Sequence, residues 1–426
     1  MRDLVQVLAE PNRRRLLELL VGGEQTVTDL AAHFAVSRSA ISQHLGVLAE
    51  AGLVQVRPQG RYRYYRVDPH GLVELRASLD VFWTRELDEL AAAGLSPRQG
   101  ATMTLEKSVL VPLSADETFA LLTEPERLRR WQAVTARIDL RAGGSYRWTI
   151  DPGHTAAGTV VEVEPGRRLV ITWGWEGSTE LPPGVSTVTI TVEPSDGGTL
   201  VRLVHEGLND EQATGHGEGW SHYLDRLVLA ARTGDAGADE WATRSDSLDR
   251  LTAAEAALAV CQVVLRGIDD TDSVTATPCA RFDVDELVNH VLGSIVSIGV
   301  MAGVTDELPL TGTYESRVAD AAQRTLEAWR ARGTDGEVSF GGSEIPATMA
   351  VGILSLELLV HAWDLASATS QPLAPGEMLS DYVLGLAQDV IAPPMRDGDR
   401  FAGVVEVGAD ADALDRLVAF TGRRPQ

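Results

Sequence analysis

The stretch TVTDLAAHFAVSRSAISQHLGVLAEAGLVQVRPQGRYRYYR, from Thr26 to Arg66, decides the fold of the first part of the chain. It contains two short amphipathic segments, 27–34 and 37–51, and the break between them ends on a serine, a residue type favoured as a helix N-cap. Residues 53–57 then alternate, Pro-Gln-Gly turns, and residues 61–66 return as a second run. The pattern predicts a helix-turn-helix followed by a β-hairpin.

The second segment has the polarity of a DNA-recognition helix. At about 100° per residue, its apolar side chains point to one side and its short polar side chains to the other. The apolar stripe consists of Ile41, Leu45 and Leu48. The residues expected to reach base edges in the major groove of double-stranded DNA are Arg38, Ser39, Ser42 and Gln43. On the hairpin, Arg61 and Arg63 share one face, where they are expected to contact DNA regardless of its sequence.

This region resembles the winged-helix domain of the ArsR family of bacterial repressors, from about Met1 to Gly94. The residues that carry the resemblance are LAEPNRRRLLELL at 8–20, TVTDLAAHFAVSRSAISQHLGVLAEAGLV at 26–54, and the Gly-Arg pair at 60–61. The resemblance implies a homodimer built by the first and last helices, which the pattern predicts at 1–10 and 68–93. Alternatively, the module is a protein-docking scaffold, or the last helix only covers its own domain.

One departure from the family concerns metal sensing. Many metal-sensing members carry cysteines on the helix before the recognition helix, and segment 27–34 has none. Because soft metals are held by thiolates, this module is not expected to sense one. His33 and His44 are interpreted as packing or flanking residues.

The length of the chain and the distribution of its charge show that this module is one part of a larger protein. The 426 residues predict about three domains. The net charge of −24 is unevenly divided, because residues 11–66 hold eight arginines against four acids, a surplus of +4, whereas residues 242–426 hold 13 against 28, or −15. Two cysteines in such a chain argue against a disulfide framework, and the N-terminus lacks a signal-peptide pattern. We therefore expect a cytoplasmic protein with no membrane partner.

From Ala101 the hydrophobic period changes to two. One strand, two short helices, a run of strands and a closing helix at 217–231 resemble the helix-grip fold of the START/polyketide-cyclase (SRPBCC) superfamily, in its branch similar to the activator of the heat-shock-protein ATPase. The carrying residues are VPLSADETFALLTEPERLRRW at 111–131, Gly-Thr-Val at 158–160, and HEGLNDEQATGHGEGWSHYLDRL at 205–227. The resemblance implies an apolar cavity between sheet and helix for a small molecule.

Aromatic residues concentrate in this second domain, and plain core packing explains any one of them equally well. The residues expected to bind the apolar ligand are Trp131, Trp148, Trp173, His205 and Trp220. Residues 233–240, small and acidic, are predicted to form a linker.

Beyond this segment the period returns to 3.6 and predicts a helical bundle. His290, Glu357 and His361 lie on apolar helix faces, and two imidazoles with one carboxylate suit zinc or another divalent ion. The alternative is a satisfied histidine beside a glutamate at the rim of the core. Asp364 is a candidate hydrogen-bond partner for a ligating imidazole.

The bundle resembles the DinB-type metal-binding bundle of the mycothiol-dependent maleylpyruvate isomerase family. TPCARFDVDELVNH at 277–290, ELLVHAWDL at 357–365 and DRLVAFTGRRP at 415–425 carry the resemblance. It implies a divalent metal, most naturally zinc, held by His290, Glu357 and His361, with mycothiol as a possible co-substrate. Phe282 stands where the family has tryptophan, which affects packing and leaves the ligands untouched. No catalytic residue can be matched.

The sequence thus predicts a multidomain α+β chain: a winged helix-turn-helix at 1–95, a helix-grip domain at 101–232 and an all-α bundle at 243–426. The predicted function is a dimeric DNA-binding transcriptional regulator of ArsR type that responds to an apolar small molecule and carries a metal-binding bundle. The rival hypothesis is a mycothiol-dependent isomerase or transferase with fused regulatory domains. A third makes the helix-grip domain a chaperone-like binding module.

Overall fold

The computed structural model describes residues 11–21, 23–34, 36–59, 62–68, 71, 103–243, 247–305, 311–396, 401–408 and 410–425. The chain divides into two compact units, residues 1–101 and 102–426, which are described separately. The predicted helices at 1–10 and 68–93, on which the dimer prediction rests, lie outside the described residues apart from single positions, and so does Arg61.

The first unit contains a helix-turn-helix and a small antiparallel sheet. Its helices are α1 (Pro11–Val21), α2 (Val27–Ala31) and α3 (Arg38–Glu50), and its strands are β1 (Gln25–Thr26), β2 (Val54–Gln59) and β3 (Tyr62–Val67), in the order β1-β3-β2. Helix α2 begins with a capping box between Thr26 and Asp29, and α3 begins where the Ser37 side chain accepts from the Ala40 amide. Helix α2 is three residues shorter than predicted, because residues 32 and 33 form a turn.

The second unit opens with a seven-stranded antiparallel sheet in the order β4-β10-β9-β8-β7-β6-β5. The strands are β4 (Met103–Val111), β5 (Thr135–Ile138), β6 (Ser145–Asp151), β7 (His154–Glu164), β8 (Arg168–Trp173), β9 (Ser186–Ser195) and β10 (Gly198–Leu208). Two short helices, α4 (Ala115–Thr123) and α5 (Pro125–Leu128), join β4 to β5, and the long helix α6 (Asp210–Thr233) follows β10. This is the predicted helix-grip arrangement.

Helix α6 begins seven residues before the predicted start at Gly217. Asn209 caps it, since its side chain accepts from the Gln212 amide and the Gln212 side chain accepts in return from the Asn209 amide. This capping box starts the helix in spite of glycines at 215, 217 and 219, each of which disfavours a helix by about 1 kcal/mol relative to alanine.

The rest of the second unit is helical. Its helices are α7 (Arg250–Arg266), α8 (Val284–Met301), α9 (Tyr314–Arg332), α10 (Ala347–Ala368), α11 (Glu377–Val390) and α12 (Ala413–Phe420), and a hairpin of β11 (Glu337–Phe340) and β12 (Ser343–Pro346) precedes α10. This hairpin is a small β insertion in the predicted helical region: its turn is Gly341-Gly342, both at positive φ, a geometry that glycine adopts without steric cost.

Helix α10 lies at the centre of this helical part, packed against α7, α8 and α11. By length and composition, α8 and α10 are both apolar enough to cross a membrane, but 83% of the apolar window of α10 is buried inside the fold. The apolar composition of α10 is therefore explained by its place in the core.

The acidic segment at 233–240 is packed, so the prediction of a linker is wrong. The Ala236 amide donates to the Arg130 carbonyl, and Asp235 forms an ion pair with Arg266 of α7. Arg226 of α6 donates to the carbonyls of Gly237 and Ala238. Arginines of α6 and α7 and the turn after α5 fix the segment, and composition alone could not reveal these contacts.

A buried ion pair joins the sheet part to the helical part. Arg129 donates from Nε to Oε1 of Glu315 at 2.7 Å and from Nη2 to Oε2 at 3.0 Å. The side chains are 1% and 2% exposed. Nearby, Gln262 of α7 donates to the Val134 carbonyl at 2.9 Å. These contacts explain why residues 102–426 form one compact unit.

Candidate functional site

Helix α3 separates a packing face from an exposed polar face. Ile41, Leu45 and Leu48 are fully buried in the core of the first unit. The predicted base-contacting residues are all exposed: Arg38, Ser39, Ser42 and Gln43. Because they occupy the first two turns of the helix, they have the placement that recognition helices use to reach base edges.

The arginines of the hairpin differ in their partners. Arg57 is bound to Glu24 (Nη2 to Oε2, 2.6 Å) and its guanidinium lies over the Tyr64 ring, while Arg66 donates to Gln55. Arg63 is exposed on β3, and among the described residues it has no ion-pair partner. Its guanidinium is therefore available for a phosphate.

The helix-grip part contains an aromatic cavity of about 380 Å³ between the sheet and α6. Its rings include Trp173, Trp175, Trp220, Tyr223 and Trp241. Two of the five predicted ligand-binding residues, Trp173 and Trp220, line this cavity. The dominance of flat apolar side chains fits a flat, apolar ligand.

The other three predicted residues lie elsewhere. Trp131 is buried, donates from Nε1 to the Leu121 carbonyl at 2.9 Å, and faces a different cavity. Trp148 packs against Tyr146 with ring centroids 4.5 Å apart. His205 lies behind the cavity wall, fully buried. The structure does not bring these three to the aromatic cavity.

His205 nevertheless fixes two of the cavity rings. Trp220 Nε1 donates to His205 Nδ1 at 3.2 Å, so the neutral ring carries its proton on Nε2, which lies 2.8 Å from the Ser186 hydroxyl. Ser186 donates in turn to the Trp173 carbonyl. Burial, with His216 nearby, lowers the pKa of His205 to about 3. His205 is thus a neutral residue that positions Trp220 and Trp173.

His216 has a matching role that the sequence reasoning missed. Its Nδ1 donates to the Gln212 carbonyl at 2.8 Å, and its Nε2 accepts from Trp175 Nε1 at 3.2 Å. Burial lowers the pKa of His216, in keeping with the neutral ring. The signal was available, since Gln212, His216 and Tyr223 follow a helical period and lie on one face of α6.

Two cavity residues carry buried polar atoms without partners. Among the described residues, neither Trp173 Nε1 nor the Tyr223 hydroxyl makes a hydrogen bond. Burial, with Asp239 nearby, raises the pKa of Tyr223, so its proton stays available. An unmet buried donor costs free energy, and a bound molecule with acceptor atoms would satisfy these two.

The predicted metal ligands converge in the helical part. Glu357 Oε2 lies 3.3 Å from His290 Nε2 and 3.7 Å from His361 Nε2, and one donor atom from each residue lies within 4.8 Å of the others. Ser294 donates to the same carboxylate oxygen at 2.8 Å. Two imidazoles and a carboxylate facing one point fit a divalent ion, which would keep open coordination positions.

Further groups hold this set in place. His361 Nδ1 lies 2.9 Å from Asp364 Oδ2, as the sequence predicted, and Arg423 donates to both oxygens of Asp364 at 2.7 Å. Burial would raise the pKa of Glu357, but the two histidines and Ser294 outweigh it and lower the pKa to about 2. The carboxylate is therefore ionised, as a ligand must be.

The metal set opens onto a cavity of about 600 Å³. Phe282 stacks on His290 with ring centroids 4.9 Å apart, so phenylalanine supports the histidine at the position where tryptophan was expected. Arg281, Arg423 and Cys279 also line the cavity. Burial, with Asp364 nearby, raises the pKa of Cys279, so this thiol is not an activated nucleophile.

These features define a winged-helix DNA-binding regulator fused to a helix-grip domain and a helical region. Comparison with known families agrees: the profile for bacterial regulatory proteins of the arsR family matches residues 10–56, and the profile for activator of Hsp90 ATPase homolog 1-like proteins matches residues 112–231.

The HTH-type transcriptional regulator Rv2034 of Mycobacterium tuberculosis is 51% identical over 82 residues, which is 19% of this chain and 77% of that protein. The transcriptional repressor SdpR of Bacillus subtilis is 35% identical over 68 residues, 16% of this chain and 76% of that protein. The solution structure of an AHSA1-like protein from Rhizobium etli is 34% identical and covers 35% of this chain and 92% of its own, with a TM-score of 0.28. The chain belongs to the ArsR family of bacterial regulatory proteins.

Proposed function

We propose that this regulator responds to a flat, apolar small molecule bound in the aromatic cavity of its helix-grip domain. The observation that carries the proposal is the cavity of about 380 Å³, walled by Trp173, Trp175 and Trp220, with two buried donors left without acceptors. The ligand would place hydrogen-bond acceptors against Trp173 Nε1 and the Tyr223 hydroxyl. Its binding would alter the affinity of the recognition helix for DNA.

In this proposal the bases of DNA are contacted by Arg38, Ser39, Ser42 and Gln43. The phosphate backbone of DNA is contacted by Arg61 and Arg63. The protein would act as a cytoplasmic homodimer. The surplus of positive charge at residues 11–66 supports DNA binding there, and the charge of −15 at residues 242–426 would keep the helical region away from DNA. The two cysteines are unpaired, in keeping with a reducing compartment.

The metal set supports a second element of the proposal, a divalent ion held by His290, Glu357 and His361. Zinc is the ion best suited to two imidazoles and one carboxylate. The convergence of the three donors supports this part, and so does the hydrogen bond that leaves His361 Nε2 free to ligate. A DinB-like bundle is the arrangement that we propose for residues 243–426.

An enzyme is the alternative function, and a specific observation favours it. The metal set lies on the wall of a cavity of about 600 Å³ in which Arg281 and Arg423 supply positive charge. A low-molecular-weight thiol such as mycothiol could bind a metal there through its sulfur, as the thiolate. Purified protein loaded with zinc that catalyses transfer to or from such a thiol would support this alternative.

The aromatic cavity can be tested by filling it. A side chain built at Gly219 meets no heavy atom within 4 Å, so Gly219→Leu should place a leucine in the cavity without displacing the helix. Gly217→Ala is the matched control, because it changes helix propensity equally and meets only ordinary contact with Leu105. Aromatic compounds that quench the tryptophan fluorescence of wild type should also quench that of Gly217→Ala. They should not quench the tryptophan fluorescence of Gly219→Leu.

The same compounds should change DNA affinity in a mobility-shift assay with wild type and not with Gly219→Leu. Equal responses of all three proteins, in fluorescence and in DNA binding, would contradict the proposed ligand site.

A further inference from the structure

A second cavity, separate from the aromatic one, lies where the sheet part of the second unit meets its helical part. It measures about 470 Å³ and is bounded by residues after α5, by the packed segment at 237–243, by α7, and by residues 372–374. Because neither part encloses it alone, it exists only through the fusion of the two. It shares Gln132 and Ile150 with the aromatic cavity as a common wall.

Gln132 carries the main signal for a ligand. Its side chain is 4% exposed and faces this cavity. Its backbone amide donates to the Leu128 carbonyl, whereas its side-chain amide makes no hydrogen bond within the part of the chain that the structure describes. Side-chain amides inside proteins are nearly always hydrogen-bonded, because an unmet one costs free energy. A bound molecule would provide the missing partner.

Arg266 gives an independent second signal at the same cavity. Its side chain is 9% exposed, and its nearest carboxylates are Asp235 and, at 3.7 Å from Nη1, Glu315. Nη1 nevertheless makes no hydrogen bond among the described residues. Burial lowers the pKa of Arg266 in spite of both carboxylates, so the guanidinium is incompletely compensated. An additional anion would stabilise it.

The remaining walls are mostly apolar, including Trp131, Val134, Val260 and Leu373. We propose that this cavity binds a second small molecule, an apolar carboxylic acid whose carboxylate is held by Arg266 and by the amide of Gln132. Such a ligand would contact both parts of the unit at once. It would therefore stabilise their association, and the effect would be distinct from that of a ligand in the aromatic cavity.

The test uses full-length protein and fluorine NMR with para-(trifluoromethyl)benzoate, alongside its neutral counterpart para-(trifluoromethyl)benzamide. The fluorine signal of the acid should broaden in the presence of the protein, and this broadening should be saturable. The acid should bind more tightly than the amide. Gln132→Leu should weaken the acid roughly tenfold, the factor that corresponds to about 1.4 kcal/mol. It should also raise the thermal stability of the free protein, since it removes an unpartnered polar group; a purely structural glutamine would lower it.

Three variants separate the cavities. Ala259→Phe lies on the wall of the interdomain cavity alone and should abolish binding of the acid, with Val263→Leu as a milder variant that should weaken it. Gly219→Leu fills the aromatic cavity and should leave binding of the acid unchanged. Absence of saturable binding, equal binding of acid and amide, or loss in Gly219→Leu with retention in Ala259→Phe would overturn the proposal.

Discussion

The Nδ1 atom of His361 lies 2.9 Å from Oδ2 of Asp364, one turn further along the same buried helix. Because an ionised carboxylate only accepts, Nδ1 carries the proton and the lone pair of Nε2 faces Glu357. Arg423 holds Asp364 from the other side. The pair therefore determines which nitrogen of His361 can ligate a metal, and through Arg423 it connects the residues after α12 to the metal set.

We expect the wild-type protein to retain about one divalent metal ion per chain after purification, because three converging ligands leave a site of ordinary tetrahedral type. His361→Ala should lose the ion and keep most of its helix content. His33→Ala, which removes an exposed imidazole of the first unit, is the control and should keep the ion. Elemental analysis measures the metal content of each protein. Negligible metal in all three proteins would show that His290, Glu357 and His361 are only packed in the core and do not bind a metal.

Asp364→Asn should weaken metal binding by about 10–100-fold, the usual effect of losing the carboxylate behind a ligating histidine. A competition titration against a chelating dye measures it. Asp381→Asn, which removes an exposed carboxylate paired with Arg416 on the helical surface, is the matched control and should have no effect. An Asp364→Asn protein with wild-type affinity would show that Asp364 serves only to bind Arg423.

Arg129→Met should destabilise the second unit by about 3–5 kcal/mol, because Glu315 would remain buried without its main partner. Adding Glu315→Leu should restore part of the loss, since an apolar pair replaces an ion pair. Arg137→Ala, which breaks a partly exposed pair with Glu327, should cost less than about 1 kcal/mol. Urea unfolding followed by tryptophan fluorescence measures all three; similar losses for Arg129→Met and Arg137→Ala would contradict the structural role of the buried pair.

That interdomain pair shows where the sequence stops being informative. The recognition helix and the order of the strands follow from local periodicity and residue type, whereas the three candidate metal ligands were singled out only through the resemblance to a metal-binding bundle. Arg129 and Glu315 are 186 positions apart, and no local pattern connects them. The segment at 233–240 looked like a linker for a related reason, since two of its arginine partners, Arg130 and Arg266, lie outside the helix that precedes it. The capping box at Asn209 and the Gly341-Gly342 turn were local signals that the sequence did carry.

Acid should destabilise the helix-grip part through His205. Its folded pKa, about 3, lies below the unfolded value of about 6.5, so the unfolded chain binds the proton first. The stabilisation is complete above pH 6.5 and is lost as the pH falls from 6.5 towards 3. We expect the Tm of His205→Gln to fall less than the Tm of wild type as the pH drops over this range. Thermal unfolding followed by tryptophan fluorescence measures both.

His154→Gln is the control for this prediction. The pKa of His154 is raised by its hydrogen bond to Asp151, so its contribution has the opposite sign and its loss should not flatten the acid limb. A Tm profile of His205→Gln that parallels that of wild type from pH 6.5 to 3 would show that His205 does not control acid stability.

The central claim, that α3 and the hairpin read DNA, is tested most directly by fluorescence anisotropy on DNA from the promoter of the protein's own gene, over a series of salt concentrations. Gln43→Ala should cost about 1–3 kcal/mol on the preferred site and relax sequence preference, whereas Arg63→Ala should weaken all sequences alike and reduce the salt slope by about one. Arg168→Ala, in the sheet of the second unit, should change neither. If Gln43→Ala and Arg63→Ala both leave affinity, preference and salt slope at wild-type values, the account of DNA recognition is contradicted.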